Sequence, residues 1–269
     1  MTDHLLETIE DGVATLTMNR PDARNALSGE MLAALSEAAL RIAADPKVRA
    51  LVLTGSGGAF CAGGDVKGFA ADSPGGPGGA GGVSFEQKLH SLRTGMELSR
   101  LLHEMPKPTL AVIPGAAAGA GFSMALACDL RIAASSAKLT TAFAKVGVSG
   151  DYGGSYFLSH LVGAAKAREL YFMADVITGA EAAALGIVNR AVPAAELAQA
   201  AGELARRLAS LPTIAIGHMK KNLNVADHGT LTEVLDSEAI YMIRTMMTED
   251  HKAASKAFVE KRAPVFQGR

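Results

Sequence analysis

Two glycine-rich segments hold the residues whose types and spacing best suit chemistry. They are Ala59–Asp65, which reads AFCAGGD, and Pro114–Phe122, which reads PGAAAGAGF, and each follows an apolar run. Small residues let a ligand approach the backbone, and the first turn of a helix leaves N–H groups unpaired. Two such groups that point at one spot form an oxyanion hole, which stabilises a developing negative oxygen. The alternative for each segment alone is a tight packing turn.

Other motifs that carry chemistry are incomplete. GSGGAF has Phe60 where a dinucleotide-binding turn has its third glycine. His103 and Glu104 begin a zinc-protease motif in which Lys107 replaces the second histidine. Ser123 lies in GFSMA, which lacks the second glycine of a nucleophile elbow. The seven histidines show no metal-ligand spacing, so we predict no metal site.

The composition disfavours several classes of protein. With a formal net charge of −1 over 269 residues, we expect no basic surface for nucleic acid. Cys61 and Cys128 cannot form a disulfide framework, and the acidic N-terminal sequence MTDHLLETIEDG does not resemble an export signal. The uncharged stretch Pro108–Cys128 could span a membrane by length, but its glycines and Pro114 fit a strand, turn and helix better. We therefore expect a cytoplasmic protein without a membrane span.

Strand and helix patterns alternate over the first two-thirds of the chain. A first helix is predicted to begin at the N-cap Ser28 and to end before Pro46. A second helix is predicted from Phe85 to Leu101. The runs typical of strands are Val13–Met18, Arg49–Thr54, Leu110–Ile113 and Leu130–Ala133. This alternation indicates an α/β architecture with parallel strands.

Helical patterns dominate from Pro193 onward, in Ala195–Leu211, Thr213–Val225, Leu231–Met247 and Asp250–Arg262. We therefore predict an α/β body over residues 1–200 and a helical region over 201–269 that packs on the body or on another subunit. The segment 74–82, PGGPGGAGG, predicts a mobile loop, either a plain insertion or the edge of a site.

Five segments together resemble the enoyl-CoA hydratase/isomerase (crotonase) family. They are NRPDARNAL, FCAGGD, PGAAAGAGFSMALACDLRIA, GDYGGSYFLSHLVGAAKARELYF and AFVEKRAPVF, in the family's order and spacing. The resemblance implies a crotonase-like spiral of repeated ββα units with a C-terminal helical region. It also implies homotrimers that commonly pair into hexamers, an acyl-CoA thioester as ligand, and no cofactor beyond the coenzyme A of the substrate.

The resemblance assigns roles to individual residues. The backbone N–H groups of Gly64 and Ala120 match the oxyanion donors that hold the thioester oxygen as it becomes an enolate. Arg24 matches a basic position near the CoA phosphates, and Lys261 matches one that reaches a CoA phosphate, in some cases on a neighbouring subunit. Asp65 and the backbone from Ala62 to Val66 match the adenine pocket. The alternative for Arg24 and Lys261 is an ordinary solvated surface charge.

The sequence departs from the family at the two glutamates that hydratases use. Ser123 and Phe143 occupy those positions, and neither is an acid or base near neutral pH. Asp151 instead matches a catalytic aspartate of several family isomerases and of a dehalogenase subgroup. The alternative is a helix cap, because aspartate is favoured just before a helix. An apolar pocket lined by Phe143 and Tyr152 would raise the pKa of Asp151 and suit it to proton transfer.

These residues predict an enzyme that acts on an acyl-CoA through a stabilised enolate, with Asp151 as acid and base. Double-bond isomerisation needs only one such group, whereas hydration of a 2-enoyl-CoA needs help from Ser123 or Tyr152. Two alternatives stay open. One is a non-catalytic acyl-CoA-binding paralogue, and the other is an acyl-CoA hydrolase or dehalogenase in which Asp151 is the nucleophile.

Overall fold

A six-stranded sheet forms the centre of the protein in the computed structural model, which describes residues 2–64 and 83–269. The strands of the described residues are β1 (Leu5–Glu10), β2 (Val13–Met18), β3 (Ala50–Gly55), β4 (Thr109–Ile113), β5 (Ala117–Ala118), β6 (Leu130–Ala134), β7 (Lys138–Thr140), β8 (Ile177–Thr178) and β9 (Arg190–Val192). The large sheet has the strand order β1-β2-β3-β4-β6-β9, and a smaller sheet has the order β5-β7-β8. The four predicted strands are all present in the larger sheet.

Ten helices lie in the described residues. They are α1 (Gly29–Ala44), α2 (Phe85–Gly95), α3 (Glu97–Glu104), α4 (Ala120–Ala127), α5 (Gly154–Met173), α6 (Gly179–Ala184), α7 (Leu197–Ser210), α8 (Thr213–Ala226), α9 (Leu231–Met246) and α10 (Glu249–Val259), with short 3₁₀ turns at Pro21–Ala23, Phe143–Val146 and Ala194–Glu196. None of these helices is long and apolar enough to cross a membrane.

Parallel pairing places the two glycine-rich segments at one edge of the large sheet. In the described part of this sheet, five strands run parallel, namely β2, β3, β4, β6 and β9, and β1 pairs antiparallel with β2. Helix α1 connects β2 to β3 and buries Met31, Leu35 and Ile42 completely. Its predicted N-cap is confirmed, because Ser28 Oγ accepts a hydrogen bond from the Met31 N–H. Strands β3 and β4 therefore end next to each other, where the two glycine-rich segments begin.

The predicted single helix from Phe85 to Leu101 is wrong, because the chain forms two helices that meet at Met96. The two helices have different environments. Leu98 in α3 is buried, whereas Phe85 and Leu89 in α2 are 74% and 55% exposed. Spacing alone predicted one continuous apolar face, but only its second half packs on the core.

The helical C-terminal region is confirmed, with the predicted starts at Thr213 and Leu231 unchanged and the other helix ends shifted by one to three residues. Helix α7 lies on the sheet and buries Leu197, Ala201 and Ala205 there. The predicted boundary between residues 200 and 201 falls inside α7, and the division into two units stays a prediction. The Arg49 guanidinium fixes the tail to the body, donating to the carbonyl oxygens of Leu211 (2.6 Å) and Phe266 (2.8 Å).

Candidate active site

The two glycine-rich segments lie side by side. Ala118 N donates to Cys61 O at 2.9 Å, and Cys61 forms a β-bridge with Ala117. A Cβ on Gly63 would lie 2.7 Å from Ala118 O and 3.4 Å from Ala120 N, so the first segment touches the start of α4. The structure therefore brings the two segments together, while their joint action on an oxygen stays a prediction.

Close backbone packing explains why these segments are built from small residues. A Cβ on Gly121 would overlap Cys61 O and would lie 2.7 Å from Cys61 Sγ. Gly119 is the N-cap of α4 with φ 51° and ψ −128°, a conformation open to glycine, and it offers no side-chain cap. Within residues 2–64 and 83–269, no backbone acceptor takes the N–H of Gly64 or of Ala120.

A buried asparagine anchors the first of these segments. The Asn25 amide donates to Ser56 O and Ala59 O, each at 2.9 Å, and its Oδ1 accepts from Arg20 N at 2.8 Å. Asn25 itself is fully buried and left-handed, with φ 57°. The segment NRPDARNAL therefore holds the backbone that leads into Gly64, a role that sequence spacing did not assign to Asn25.

Asp151 is a half-buried residue with one buried carboxyl oxygen. Its Oδ1 is buried and forms no hydrogen bond with any residue that the structure describes. Burial raises the pKa of Asp151 from 3.8 to about 6. The alternative role as a helix cap is wrong, since Gly153 is the N-cap of α5 and no side chain caps that helix. Asp151 contributes only its backbone carbonyl, which accepts from Gly154 N at 3.2 Å.

Phe143 connects the Asp151 segment with the start of α4. A Cβ on Gly119 would lie 3.5 Å from Phe143 Cε1, and a Cβ on Gly150 would lie 3.4 Å from Phe143 Cδ2. Ser123, which is 2% exposed, donates from Oγ to Gly119 O at 3.2 Å. Phe143 and Ser123 therefore supply an apolar wall and a hydroxyl, and neither supplies an acid or base.

Tyr171 belongs to the same cluster, and the sequence analysis missed it. A Cβ on Gly154 would overlap Ser123 Oγ and lie 2.5 Å from Tyr171 Oη. The Tyr171 ring stacks on Phe143 with centroids 5.9 Å apart. Burial and the nearby Asp151 charge raise the pKa of Tyr171 to about 12, and hydrogen bonding with Ser123 opposes this rise. No hydroxyl in the cluster is therefore ionised near neutral pH.

The fold of α5 explains why Tyr171 was missed. A straight helix would separate Gly154 from Tyr171 by about 25 Å. Gly163 has φ 76° and ψ 162°, which breaks the helix and lets its second half return toward its start. A glycine within a helical pattern was the available signal, but it did not indicate the direction of the bend.

Tyr152 lies beside Asp151 and packs into the core. Its side chain is 4% exposed, and its backbone is left-handed with φ 51°. A Cβ on Gly95 would lie 2.9 Å from Tyr152 Oη, so this hydroxyl reaches the junction of α2 and α3. Burial, with smaller effects of Asp151 and Cys61, raises the pKa of Tyr152. Its contact with a substrate stays a prediction.

The residues predicted to bind CoA are only partly brought together. Arg24 is exposed, and its carbonyl accepts from Ala62 N at 3.0 Å, so these two are neighbours. Lys261 is exposed beyond α10, and in the described part of the chain no hydrogen bond or ion pair joins it to Arg24. Asp65, Val66 and the predicted loop at 74–82 lie outside the described residues.

No cluster of three or more histidine, cysteine, aspartate or glutamate side chains that could hold a metal occurs among the residues described. Cys61 and Cys128 are free and buried, and burial raises the pKa of each thiol to about 12. Both thiols are therefore protonated and poorly reactive near neutral pH. The chemistry available at the site consists of backbone N–H groups, hydroxyls and one carboxyl group.

Comparison with known proteins assigns the chain to a family. A family model described as enoyl-CoA hydratase/isomerase matches residues 8–269. The chain belongs to this family, as its motifs predicted.

Relatives with three different activities are similar to the chain. The 1,2-epoxyphenylacetyl-CoA isomerase of Escherichia coli is 37% identical over 269 residues, all of both chains. The 4-chlorobenzoyl coenzyme A dehalogenase-1 of Arthrobacter is 34% identical, with 90% of this chain and 86% of that protein covered. The crystal structure of an enoyl-CoA hydratase from Bacillus anthracis has a TM-score of 0.90 at 30% identity and covers 99% of this chain and 100% of that chain. The predicted crotonase-like α/β fold is confirmed.

Proposed function

We propose that this protein is an acyl-CoA isomerase that moves a double bond through an enolate, with Asp151 as both base and acid. The buried Oδ1 of Asp151, which has no hydrogen-bond partner in the part of the chain that the structure describes, carries this proposal. The absence of a second carboxyl at Ser123 and Phe143 supports isomerisation over hydration, because hydration requires groups that both activate water and protonate carbon.

The proposed reaction needs one proton and one carboxylate. Asp151 removes a proton from a carbon of the enoyl-CoA, and the electron pair moves through the conjugated system to the thioester oxygen. The N–H groups of Gly64 and Ala120 stabilise that oxygen. The protonated Asp151 then returns its proton to the other end of the system, which leaves the double bond shifted. A pKa of about 6 suits both steps, since the group is mostly ionised at neutral pH and still acidic when protonated.

The test offers the purified protein 3-hexenoyl-CoA and, separately, 2-hexenoyl-CoA, and follows the shifted alkene and the 3-hydroxy product. We expect isomerisation to dominate. Asp151→Asn should lower kcat by about 10²- to 10⁴-fold, the usual contribution of acid–base catalysis. Asp175→Asn, which changes an exposed aspartate after α5, is the matched control and should keep full activity. Product formation that survives in Asp151→Asn would refute this assignment.

A second candidate function has Asp151 as a nucleophile in an acyl-CoA dehalogenase or hydrolase, which the 34% identity to the Arthrobacter dehalogenase favours. In a dehalogenase, the carboxylate would attack the carbon that bears the halogen, form an ester with it and expel halide. In a hydrolase, it would attack the thioester carbonyl, form an anhydride and release the CoA thiolate. Either step would increase the protein mass by the mass of the bound group. Mass spectrometry after a rapid quench separates this candidate from the isomerase. CoA binding without turnover of any acyl-CoA would instead favour a non-catalytic paralogue.

The remaining assignments complete this proposal. The CoA is bound by Arg24, Ala62, Asp65, Val66 and Lys261. The acyl pocket is lined by Tyr152 and Phe143, and the reaction uses no cofactor.

A homotrimer or a hexamer is supported by the large apolar side chains that are exposed in the C-terminal region. They include Leu231, Leu235, Ile240, Ile243, Met247, Phe258 and Val259. Light scattering on the purified protein tests the assembly. The cytoplasmic location stays a prediction.

A further inference from the structure

We propose that Tyr171 is a positioning residue that holds Asp151 in its buried place and couples it to the start of α4. The proposal rests on the proposed function insofar as Asp151 is the base. Tyr171 lies near the end of α5, twenty residues along the chain from Asp151 and within the same family motif, and the resemblance assigns it no role.

Tyr171 contacts the chain on both sides of Asp151. A Cβ on Gly150 would lie 3.1 Å from Tyr171 Cε1, and a Cβ on Gly154 would lie 2.5 Å from Tyr171 Oη. Because both positions are glycine, the ring and its hydroxyl pack directly against backbone. One side chain therefore supports the whole turn from residue 150 to 154.

This turn needs external support. Gly150, Tyr152 and Gly153 have φ values of 108°, 51° and 76°, so three of the four residues from 150 to 153 are left-handed. A non-glycine residue such as Tyr152 persists in this conformation only when its surroundings enforce it. The Asp151 side chain contributes no hydrogen bond of its own through Oδ1 within the described structure. Packing against Tyr171 is thus an interaction that fixes the carboxyl and excludes water from it.

The hydroxyl of Tyr171 extends the contact to the other half of the site. It lies beside Ser123, whose Oγ donates to Gly119 O, and Gly119 directly precedes Ala120. A chain of contacts therefore runs from the Asp151 turn through Tyr171 and Ser123 to the proposed N–H donor. The ring and the hydroxyl have separable roles: the ring keeps Asp151 dry, and the hydroxyl fixes the distance between base and donor.

Two variants separate these roles. Tyr171→Phe keeps the ring and its stacking on Phe143, whereas Tyr171→Leu removes the ring and admits water to Asp151. The matched control is Tyr156→Leu, which changes an exposed tyrosine on the same helix. Circular dichroism establishes that each variant folds, and Tyr171→Met replaces Tyr171→Leu if the latter does not.

The first measurement is the pKa of Asp151, read from the carboxyl resonance of ¹³C-aspartate-labelled protein and assigned by its loss in Asp151→Asn. We expect this pKa to fall by about one pH unit in Tyr171→Leu, toward that of a solvated aspartate. It should stay unchanged in Tyr171→Phe and in Tyr156→Leu. An unchanged pKa in folded Tyr171→Leu would overturn the proposal, whether or not the wild-type protein turns over any substrate.

The second measurement is the steady-state kinetics with 3-hexenoyl-CoA. We expect Tyr171→Phe to lower kcat by about 3- to 10-fold with KM unchanged, because a displaced donor weakens transition-state contacts alone. Equal kcat in Tyr171→Phe and wild type would overturn the role of the hydroxyl. A wild-type protein that converts neither hexenoyl-CoA would count against the proposed function, and the resonance measurement would still decide the role of Tyr171.

Discussion

Two aspartates near opposite ends of helix α4 have contrasting environments. Asp129 follows the C-terminal end, and its Oδ2 accepts from Thr109 N (2.7 Å), Thr109 Oγ1 (3.0 Å) and Lys220 Nζ (2.9 Å). Asp151 lies near the N-terminal end, across Phe143, and its buried Oδ1 has no partner in the structure as described. A carboxylate with hydrogen-bond partners stabilises the fold. A buried carboxylate oxygen without such partners destabilises the fold and is typical of a functional site.

Removing the charged partner of Asp129 should give the largest loss of stability. Lys220→Met removes the buried ammonium that also donates to the carbonyl oxygens of Leu102 and Lys107. We expect a loss of about 3 kcal/mol in the free energy of unfolding, because Asp129 loses its countercharge. Urea unfolding at a fixed protein concentration measures this loss. Lys221→Met, at the exposed neighbouring position, is the control and should change stability little.

In the region around Asp151, we expect an added methyl group to have its strongest effect at Gly154. Gly154→Ala places a methyl group against Ser123 Oγ and Tyr171 Oη, and we expect a cost of about 1–3 kcal/mol in stability together with lower activity. Thermal melting and the isomerase assay measure the two effects. Gly29→Ala meets nothing within 4 Å and should be neutral or slightly stabilising, so an equal loss in both variants would show that the crowding does not matter.

The raised pKa of Asp151 predicts opposite pH trends for activity and stability. Activity should rise with pH through about 6 as the base ionises, falling about tenfold per pH unit below that value. Stability should fall as pH rises from about 4 to 6, because in this window the folded state binds more protons than the unfolded state. Melting temperatures of wild type and Asp151→Asn at pH 4.5 and 7 test the second trend. The variant should lose most of this pH dependence, and an equal fall in both proteins would contradict it.

Removing one side-chain hydroxyl on each side of the comparison, Thr109 near Asp129 and Ser123 near Asp151, should have the smallest effects and should distinguish the two sides most directly. Thr109→Val removes a donor to Asp129 and should cost about 1 kcal/mol of stability with full activity per folded molecule. Ser123→Ala should cost a similar amount of stability but also lower kcat several-fold, because it frees Gly119 O beside the proposed donor. Unfolding curves and steady-state rates, measured on the same preparations, make the comparison. Equal kcat in both variants would remove the distinction between the two ends of α4.

The sequence predicted the parts of the fold that depend on local patterns. The parallel strands, the Ser28 cap and the C-terminal helices follow from spacing and residue type, and the glycine-rich segments were selected because small residues permit close backbone approach. The family motifs added Asp151, which local rules alone would have assigned to a cap.

Long-range packing accounts for what the sequence did not predict. The separation of α2 from α3 depends on which half of one apolar pattern reaches the core. The place of Tyr171 depends on how the chain turns at Gly163. Whether a described residue hydrogen-bonds to Asp151 Oδ1 depends on every residue around it, and none does. None of these features is encoded within one helical turn of the residue concerned.

The closeness of the glycine-rich segments determines which experiments can report on their chemistry. An alanine scan would skip Ala120, and at Gly63 or Gly121 it would introduce a clash with backbone atoms instead of deleting a function. Since the proposed donors are main-chain groups, side-chain mutagenesis leaves them in place. Replacing a single peptide bond with an ester by semisynthesis would remove one N–H without adding an atom. Directed evolution of this site would likewise have to change the side chains that surround these segments, because the close backbone packing of the segments tolerates almost no larger residues.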